Sequence, residues 1–325
     1  MLNVYITVDT EVSPLSRDYR GLEFRADMDR DIFGLTPRGE FGLRYLLAQL
    51  NSHDLRGVFL VDSMLAPSAG IDTLGEIVRT VQDAGQDVQH HLHTEWLGRI
   101  EKNTILPGRT GKSMRCFTLE EQTKLLELGR ASLQQAGAKN VCAFRAGGYG
   151  ADFNTLRALA ASGHTCDTSY NFCWQGRTCD MPLDGPLLGP RNLHGVWEFP
   201  VSMFSDWPGH YRHAQVGACS SGEMLAALEH AQQEGWEAFV IVMHSFELIK
   251  RSRRLGEPSQ SDRIAISRFE RLCRFLADNR GRFRTADFAA LDTAALRPQQ
   301  ATTVRAPSPL RTAWRCSQQL ARRWV

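Results

Sequence analysis

From residue 3 to residue 285 the sequence alternates short apolar runs with longer segments of helical periodicity, and this alternation is its strongest constraint. Strands are predicted over residues 3–8, 57–61, 87–92, 140–146, 164–169, 196–201, 238–244 and 282–285. Helical patterns fall between them, over 41–50, 71–84, 118–135, 152–162, 220–235 and 261–279. Two of these open on capping boxes, Thr118-Leu-Glu-Glu121 and Ser220-Ser-Gly-Glu223. Residues 170–195, rich in Gly, Pro, Cys and Asn, read as a long irregular excursion, and with the stretch to 215 they are a candidate lid. Repeated strand–helix units imply a parallel α/β architecture, barrel or doubly wound sheet. In either, a site forms from polar residues at the C-terminal ends of strands.

The chain has 325 residues, 42% of them hydrophobic and 23% charged, which suits a globular enzyme with a substantial core and excludes a disordered or collagen-like chain. Its net charge of +2 hides a division. Residues 293–325 contain six arginines and no acid, while the other 292 residues carry 32 basic and 36 acidic side chains. A mildly acidic body argues against a nucleic-acid partner and weakens a nuclease or phosphoesterase reading. No GxGxxG follows the first strand and no Walker motif occurs. No charged leader precedes the first strand and no apolar run reaches the roughly 18 residues of a membrane span, so a cytoplasmic location is expected. The eight cysteines contain no CxxC pair and are expected as free thiols; the spacing of Cys166, Cys173 and Cys179 matches no familiar zinc knuckle.

The polar residues at the predicted strand ends carry the chemistry. The first strand ends Thr7-Val-Asp-Thr-Glu11, the third His90-His-Leu-His93 followed by Thr94-Glu-Trp96, and the fourth Phe144-Arg-Ala-Gly-Gly-Tyr149. The fifth ends Cys166-Asp-Thr-Ser169 and a late strand Val242-Met-His-Ser-Phe-Glu247. Side chains two apart on a strand share a face, so Asp9 pairs with Glu11 and His91 with His93. Two carboxylates and two imidazoles at one rim could hold a divalent ion and leave one carboxylate as a base. Taken singly, Asp9 could cap a turn, His244 could be a core histidine, and Asp167 and Ser169 could cap a turn. Arg145, directly after a buried strand, needs an acidic partner or an anion. Five strand ends with the same character make chance the minor explanation.

At these residues the sequence resembles the polysaccharide deacetylase family, the NodB-homology, metal-dependent carbohydrate deacetylases, over roughly residues 2–292. Thr7-Val-Asp-Thr-Glu11 is similar to the family's Thr-Phe-Asp-Asp-Gly, in which the first acid is the general base and the second a metal ligand. Asp9 falls on the base, whereas Thr10 stands at the ligand position with Glu11 beyond it. His91 matches the first histidine of a pair spaced by four, but position 95 is Glu, so His93 or Glu95 replaces the second. Arg145-Ala-Gly-Gly-Tyr149-Gly resembles Arg-x-Pro-Tyr-Gly lengthened by one residue, and Met243-His-Ser resembles the last motif.

The resemblance implies a distorted (β/α)7-type barrel over 1–292, with a long loop insertion, followed by a basic tail at 293–325. It implies one divalent metal ion, zinc with cobalt or nickel as alternatives, on Glu11, His91 and His93; Asp9 and Glu95 stay open as ligands. Asp9 is then the base steered by Arg145, Tyr149 contributes to an oxyanion hole, and His244 is the general acid. Asp167 would orient His244 or line the sugar site. Trp96, Trp174, Trp197 and Trp207 are candidates for stacking on sugars.

The implied activity is removal of an N-acetyl or similar acyl group from an aminosugar in a glycan or glycan precursor, such as a lipid- or nucleotide-linked sugar. The altered motifs leave two rivals, an amidase or deformylase acting on another amide and a metal-free carbohydrate-binding relative. In the tail, prolines at 298, 307 and 309 suggest a linker. Leu310, Trp314, Leu320 and Trp324 among arginines suggest either a solvated terminus or a short interfacial helix on a membrane surface.

Overall fold

Strand β1 (Leu2–Thr10) is buried almost throughout, as a parallel strand covered on both faces must be. In the computed structural model, which describes residues 1–19, 21–100, 103–254, 256–297, 304 and 309–324, this strand organises the sheet. Along one edge it pairs with β10 (Ala238–His244), from Asn3 opposite Ala238 to Asp9 opposite His244. Its other edge is shared, the upper part by β2 (Val58–Asp62) and the lower by β11 (Phe283–Thr285). Beyond β2 come β3 (Asp87–Leu92), β4 (Ala143–Ala146), β5 (Cys166–Asp167) and β7 (Val196–Glu198), all parallel, with the short β6 (Arg191–Leu193) antiparallel at the end.

On its far side β10 has no ladder partner among the described residues. Two single bridges, Val201 to Val240 and Gln215 to Val242, tie it to the residues before and after a hairpin of β8 (Met203–Trp207) and β9 (His210–His213). The result is a distorted barrel of parallel strands, as expected. Its helices include α1 (Leu22–Asp31), α2 (Leu43–Ser52), α3 (Ile71–Asp83), α4 (Leu119–Gln135), α5 (Phe153–Ala161), α6 (Ser221–Gln233) and α7 (Arg263–Asp278). Both predicted capping boxes are formed, at Thr118 with Glu121 and at Ser220 with Glu223.

The pattern gave no sign of α1 because that helix buries charge. Asp27 accepts the backbone N–H groups of Leu15 and Ser16, Asp31 accepts that of Ser13, and Arg30 pairs with both acids. This network folds residues 13–31 back onto the barrel with few apolar positions to reveal it.

On β3 the alternation of side chains separates the three histidines. His91 faces the rim of the barrel, while His90 points the other way into a buried polar chain. Its Nδ1 lies 3.1 Å from His164 Nε2, Ser63 Oγ lies 2.9 Å from its Nε2, and Ser162 Oγ lies 2.9 Å from His164 Nδ1. Burial, with the Arg130 charge, lowers the pKa of His164 to about 3; burial and the neighbouring imidazoles push that of His90 well below its usual range. Both are therefore neutral in the folded protein and take up protons on unfolding. Their contribution is complete above the unfolded-histidine value near 6.5 and is lost as pH falls below it. Thermal melts should show stability falling by about 1–3 kcal/mol per pH unit between about pH 6 and 4. A His164→Gln variant should give a flatter profile, and an unchanged slope would refute this origin.

Gly129 of α4 stands against the same chain, since a Cβ there would lie 2.3 Å from His90 Nε2 and 2.5 Å from Ser63 Oγ. Gly→Ala within a helix normally stabilises by about 1 kcal/mol. Here Gly129→Ala should instead lower the melting temperature by several degrees, through overpacking that costs about 1–3 kcal/mol.

Part of the basic tail is ordered against the body. Helix α8 (Pro309–Trp324) is fixed by Arg315, which bonds Asp206 and Glu223, and by Arg322, which bonds Asp262 and the Gly217 carbonyl. Pro309 opens this helix rather than lying in a linker. Pro298, Pro307 and the side chain of Trp324 lie outside the described residues.

Candidate active site

The register of the sheet sets its last residues side by side: Asp9 beside His244, Asp62 beside His91, and His91 beside Arg145. Just beyond them, Glu11, His91 and His93 each offer a ligand atom within 4.8 Å of the others, the single such group of three among the described residues. Cys166, Cys173 and Cys179 form no such group; all eight cysteines are free thiols.

The chemistry of these donors fits a divalent cation. His91 Nδ1 donates to the Arg145 carbonyl at 2.8 Å, so in a neutral ring Nε2 carries a bare lone pair. That lone pair faces the Glu11 carboxylate oxygen at 3.1 Å, an opposition that a cation between them resolves. His93 is arranged alike, with Nδ1 3.3 Å from Glu95 and Nε2 2.5 Å from Glu11. Anchoring one imidazole nitrogen to a carbonyl or carboxylate is how metal-ligating histidines are oriented. Two imidazoles and one carboxylate suit zinc or a neighbouring borderline ion and leave positions open for substrate and water. Without an ion the carboxylate already behaves as one half of a charge pair. Burial opposes its ionisation, but the charge and hydrogen bond of His93, with the His244 charge, hold its pKa well below the usual range. For His93, burial is overcome by Glu11 and Glu95, which raise its pKa well above the usual value.

Glu95 thus contacts His93 Nδ1 and lies outside the group of three, as does Asp9. Asp9 accepts from Arg145 Nη1 at 2.6 Å. The guanidinium is fully buried and its other donors reach the Thr168 carbonyl at 3.0 Å and hydroxyl at 3.2 Å. An arginine in that position is held only because its charge is matched, and the match fixes the carboxylate beside the group of Glu11, His91 and His93.

Across β1, His244 Nε2 stands 4.0 Å from Glu11 Oε1. Its Nδ1 lies 3.0 Å from Glu247, whose carboxylate also accepts the Gly217 N–H at 2.6 Å and the Gln215 amide. Burial alone would lower the His244 pKa, but the Glu247 hydrogen bond, with the charges of Glu11, Glu247 and Asp9, lifts it to about 9. The imidazole therefore carries its proton at neutral pH. Glu247 was not singled out from the sequence, and its only signal was its place three residues after His244 in Met-His-Ser-Phe-Glu.

Two sequence expectations are corrected. Asp167 neither orients His244 nor lines the site. It is fully buried, accepts the Ser169 hydroxyl at 2.7 Å, and lies opposite Glu198, whose carboxyl is held well above its usual range by burial and by the Asp167 charge. Trp96 is also unavailable for stacking on a sugar. It is 2% exposed, packs edge-on against Tyr19 and Phe24, and donates its indole N–H to Asp62 at 2.8 Å. Asp62, unremarked in the sequence, links this core aromatic to the His93 backbone N–H.

Tyr149 does lie at the rim, its ring 6.3 Å from that of His213 at the base of the hairpin. Gly148 and Tyr149 adopt successive left-handed conformations, φ 57° and 60°. For tyrosine this is uncommon and strained. Gly147 before them has its own reason: a Cβ there would lie 2.7 Å from the His93 ring.

No family model and no curated protein matches the sequence. Solved structures do match the fold. A Mycobacterium smegmatis protein assigned as a polysaccharide deacetylase aligns over 94% of both chains at 15% identity, with a TM-score of 0.55. A family 4 carbohydrate esterase from Streptomyces lividans, crystallised with acetate, aligns over 88% of this chain and 91% of its own at 13% identity (TM-score 0.41). A CE4 family pseudoenzyme from Bacillus anthracis aligns over 88% and 63% at 9% identity (TM-score 0.39). The chain has the fold of the polysaccharide deacetylases.

Proposed function

We propose that this chain is a metal-dependent hydrolase that removes an N-acetyl or similar acyl group from an aminosugar. The observation that carries the reading is the Glu11, His91 and His93 trio, flanked on one side by a carboxylate locked to a buried arginine and on the other by a histidine held by Glu247. An ion on the trio would supply Lewis acidity, polarising the amide carbonyl and lowering the pKa of water. Asp9, held by Arg145, takes the proton of the attacking water. Backbone N–H groups at the turn of Gly148 and Tyr149 stabilise the developing oxyanion. His244 Nε2, with Nδ1 held by Glu247, gives its proton to the departing amine.

In this reading the substrate is a glycan precursor, lipid- or nucleotide-linked, in surface polysaccharide biosynthesis. The free thiols support a reducing, cytoplasmic setting, and no helix among the described residues is long and apolar enough to cross a membrane. The test is acetate release from a panel of N-acetylated nucleotide sugars and lipid-linked saccharides, with and without chelator, beside metal analysis of the native protein. Chelator-sensitive release supports the assignment. Purified protein with no stoichiometric zinc, cobalt or nickel that still binds sugars would replace it with a carbohydrate-binding role.

Glu247→Gln offers a pH readout. Since Glu247 raises the His244 pKa, removing its charge should move the alkaline limb of the rate profile to lower pH and reduce turnover by about 10–100-fold. An unmoved limb would refute the acid role of His244.

A further inference from the structure

Helix α8 is docked the reverse way round from an ordinary surface helix. Its polar stripe faces the body: Thr312 donates to the Asp206 carbonyl, Arg315 bonds Asp206 and Glu223, Gln318 accepts from Arg268, Gln319 donates to the Gly217 carbonyl, and Arg322 bonds Asp262. The opposite stripe, spaced four and then six residues along the helix, faces outward: Leu310 is 81% exposed, Trp314 62% and Leu320 57%. The apolar face of an amphipathic helix normally covers a core. Here the body supplies acids to hold the arginines and leaves the apolar face uncovered. The hairpin that Thr312 touches adds an exposed Trp207, 62% accessible.

We propose that this face lays α8 on an anionic bilayer surface. Charge complementarity selects that occupant. The helix contains no acidic residue, and Arg311 is exposed without an ion pair among the described residues. Near its C-terminal end, Arg322 lines a cavity of about 570 Å³ together with Arg38, Lys250 and Arg263. Those three also form no ion pair among the described residues, and the one acid of the lining, Asp262, is engaged by Arg322. Anionic headgroups would neutralise Arg311 and the three cations of the cavity, which a second copy presenting the same basic surface would not. At 16 residues α8 is too short and too polar to span, but outward Trp and Leu side chains with flanking arginines are what an interfacial helix inserts. The grip of Arg315 and Arg322 would hold the body in one orientation on that surface. The hairpin connects the two regions: Asp206 near its turn binds α8, and His213 at its base lies next to Tyr149.

This inference is independent of the reaction, and vesicle flotation tests it. The full chain should be recovered with vesicles of phosphatidylcholine containing about one third phosphatidylglycerol at least about tenfold better than with phosphatidylcholine alone, and lose that preference in high salt. The triple variant Leu310→Ser, Trp314→Ser, Leu320→Ser changes only exposed side chains. It should keep its circular dichroism and melting temperature and lose flotation. The variant Arg38→Gln, Lys250→Gln, Arg263→Gln should lose the anionic preference. Failure of the full chain to float with anionic vesicles, or equal flotation of the Leu/Trp triple variant, overturns the proposal. So does a dimer seen by sedimentation that the Leu/Trp variant abolishes, which would make the occupant a second copy.

Discussion

Asp9→Asn is expected to lower metal-dependent turnover by about 10²–10⁴-fold while leaving the metal bound. The carboxylate sits outside the ligand trio, so its loss removes a proton acceptor and no metal donor. A second consequence follows from Arg145, fully buried and matched in charge by Asp9 alone among the bonds it makes. Neutralising Asp9 strands that guanidinium, and breaking a buried pair in this way costs about 3–5 kcal/mol of stability. The kinetic assay must therefore run well below the lowered melting temperature. A purely structural Asp9 would show the stability loss with the pH–rate profile unchanged in shape. A general base shows the loss of its acidic limb as well. Turnover within a few-fold of the parent protein, with metal still bound, would eliminate the base assignment.

Gly147→Ala is expected to weaken metal binding by about 10–100-fold without unfolding the barrel. Its added methyl would meet the Cγ and Nδ1 atoms of His93 at 2.7 Å, so the ring must swing away from Glu11 and from Glu95. Gly148 supplies the internal control. It lies one residue further along the same turn, and a Cβ there meets nothing within 4 Å, although its φ of 57° makes any side chain strained. Gly148→Ala should thus lose a little stability and keep its metal. Competitive titration against a chromophoric chelator measures both variants. Equal metal affinity of the Gly147 variant and the parent would show that the close approach does not position the ligand.

The strand ends were legible in the sequence because strand geometry is short-ranged. Residues 87–92 and 238–244 were predicted residue for residue, and the two-residue repeat put His91 and His93 on one face. Residues beyond a strand follow no such repeat. Glu247 reaches back to His244 through a turn, and Asp62 looked like the residue after a strand that in fact includes it. An aromatic side chain next to a loop reads alike whether it stacks on sugar or fills a core, which is why Trp96 misled. Helix α1 escaped because only Phe24 and Met28 mark its apolar face, and the rest of its buried side is Asp27, Arg30 and Asp31. In the tail the apolar stripe was visible, but which stripe faces the body was decided by Asp206, Glu223 and Asp262, each far away in the chain.

The seam of the barrel divides the site into halves with different freedom to change. Glu11, His91, His93 and Arg145 stand on or just beyond β1, β3 and β4, which are tied to their neighbours by continuous ladders. Glu247, which fixes His244, leans instead on Gln215 and Gly217, where the sheet is joined by one bridge at a time. An insertion between residues 202 and 214 could lengthen the hairpin without shifting Glu11, His91 or His93. In the proposed reaction, the ladder-bound half would hold the ion and the base, while the half at the seam, with His244 and Glu247, would meet the leaving amine.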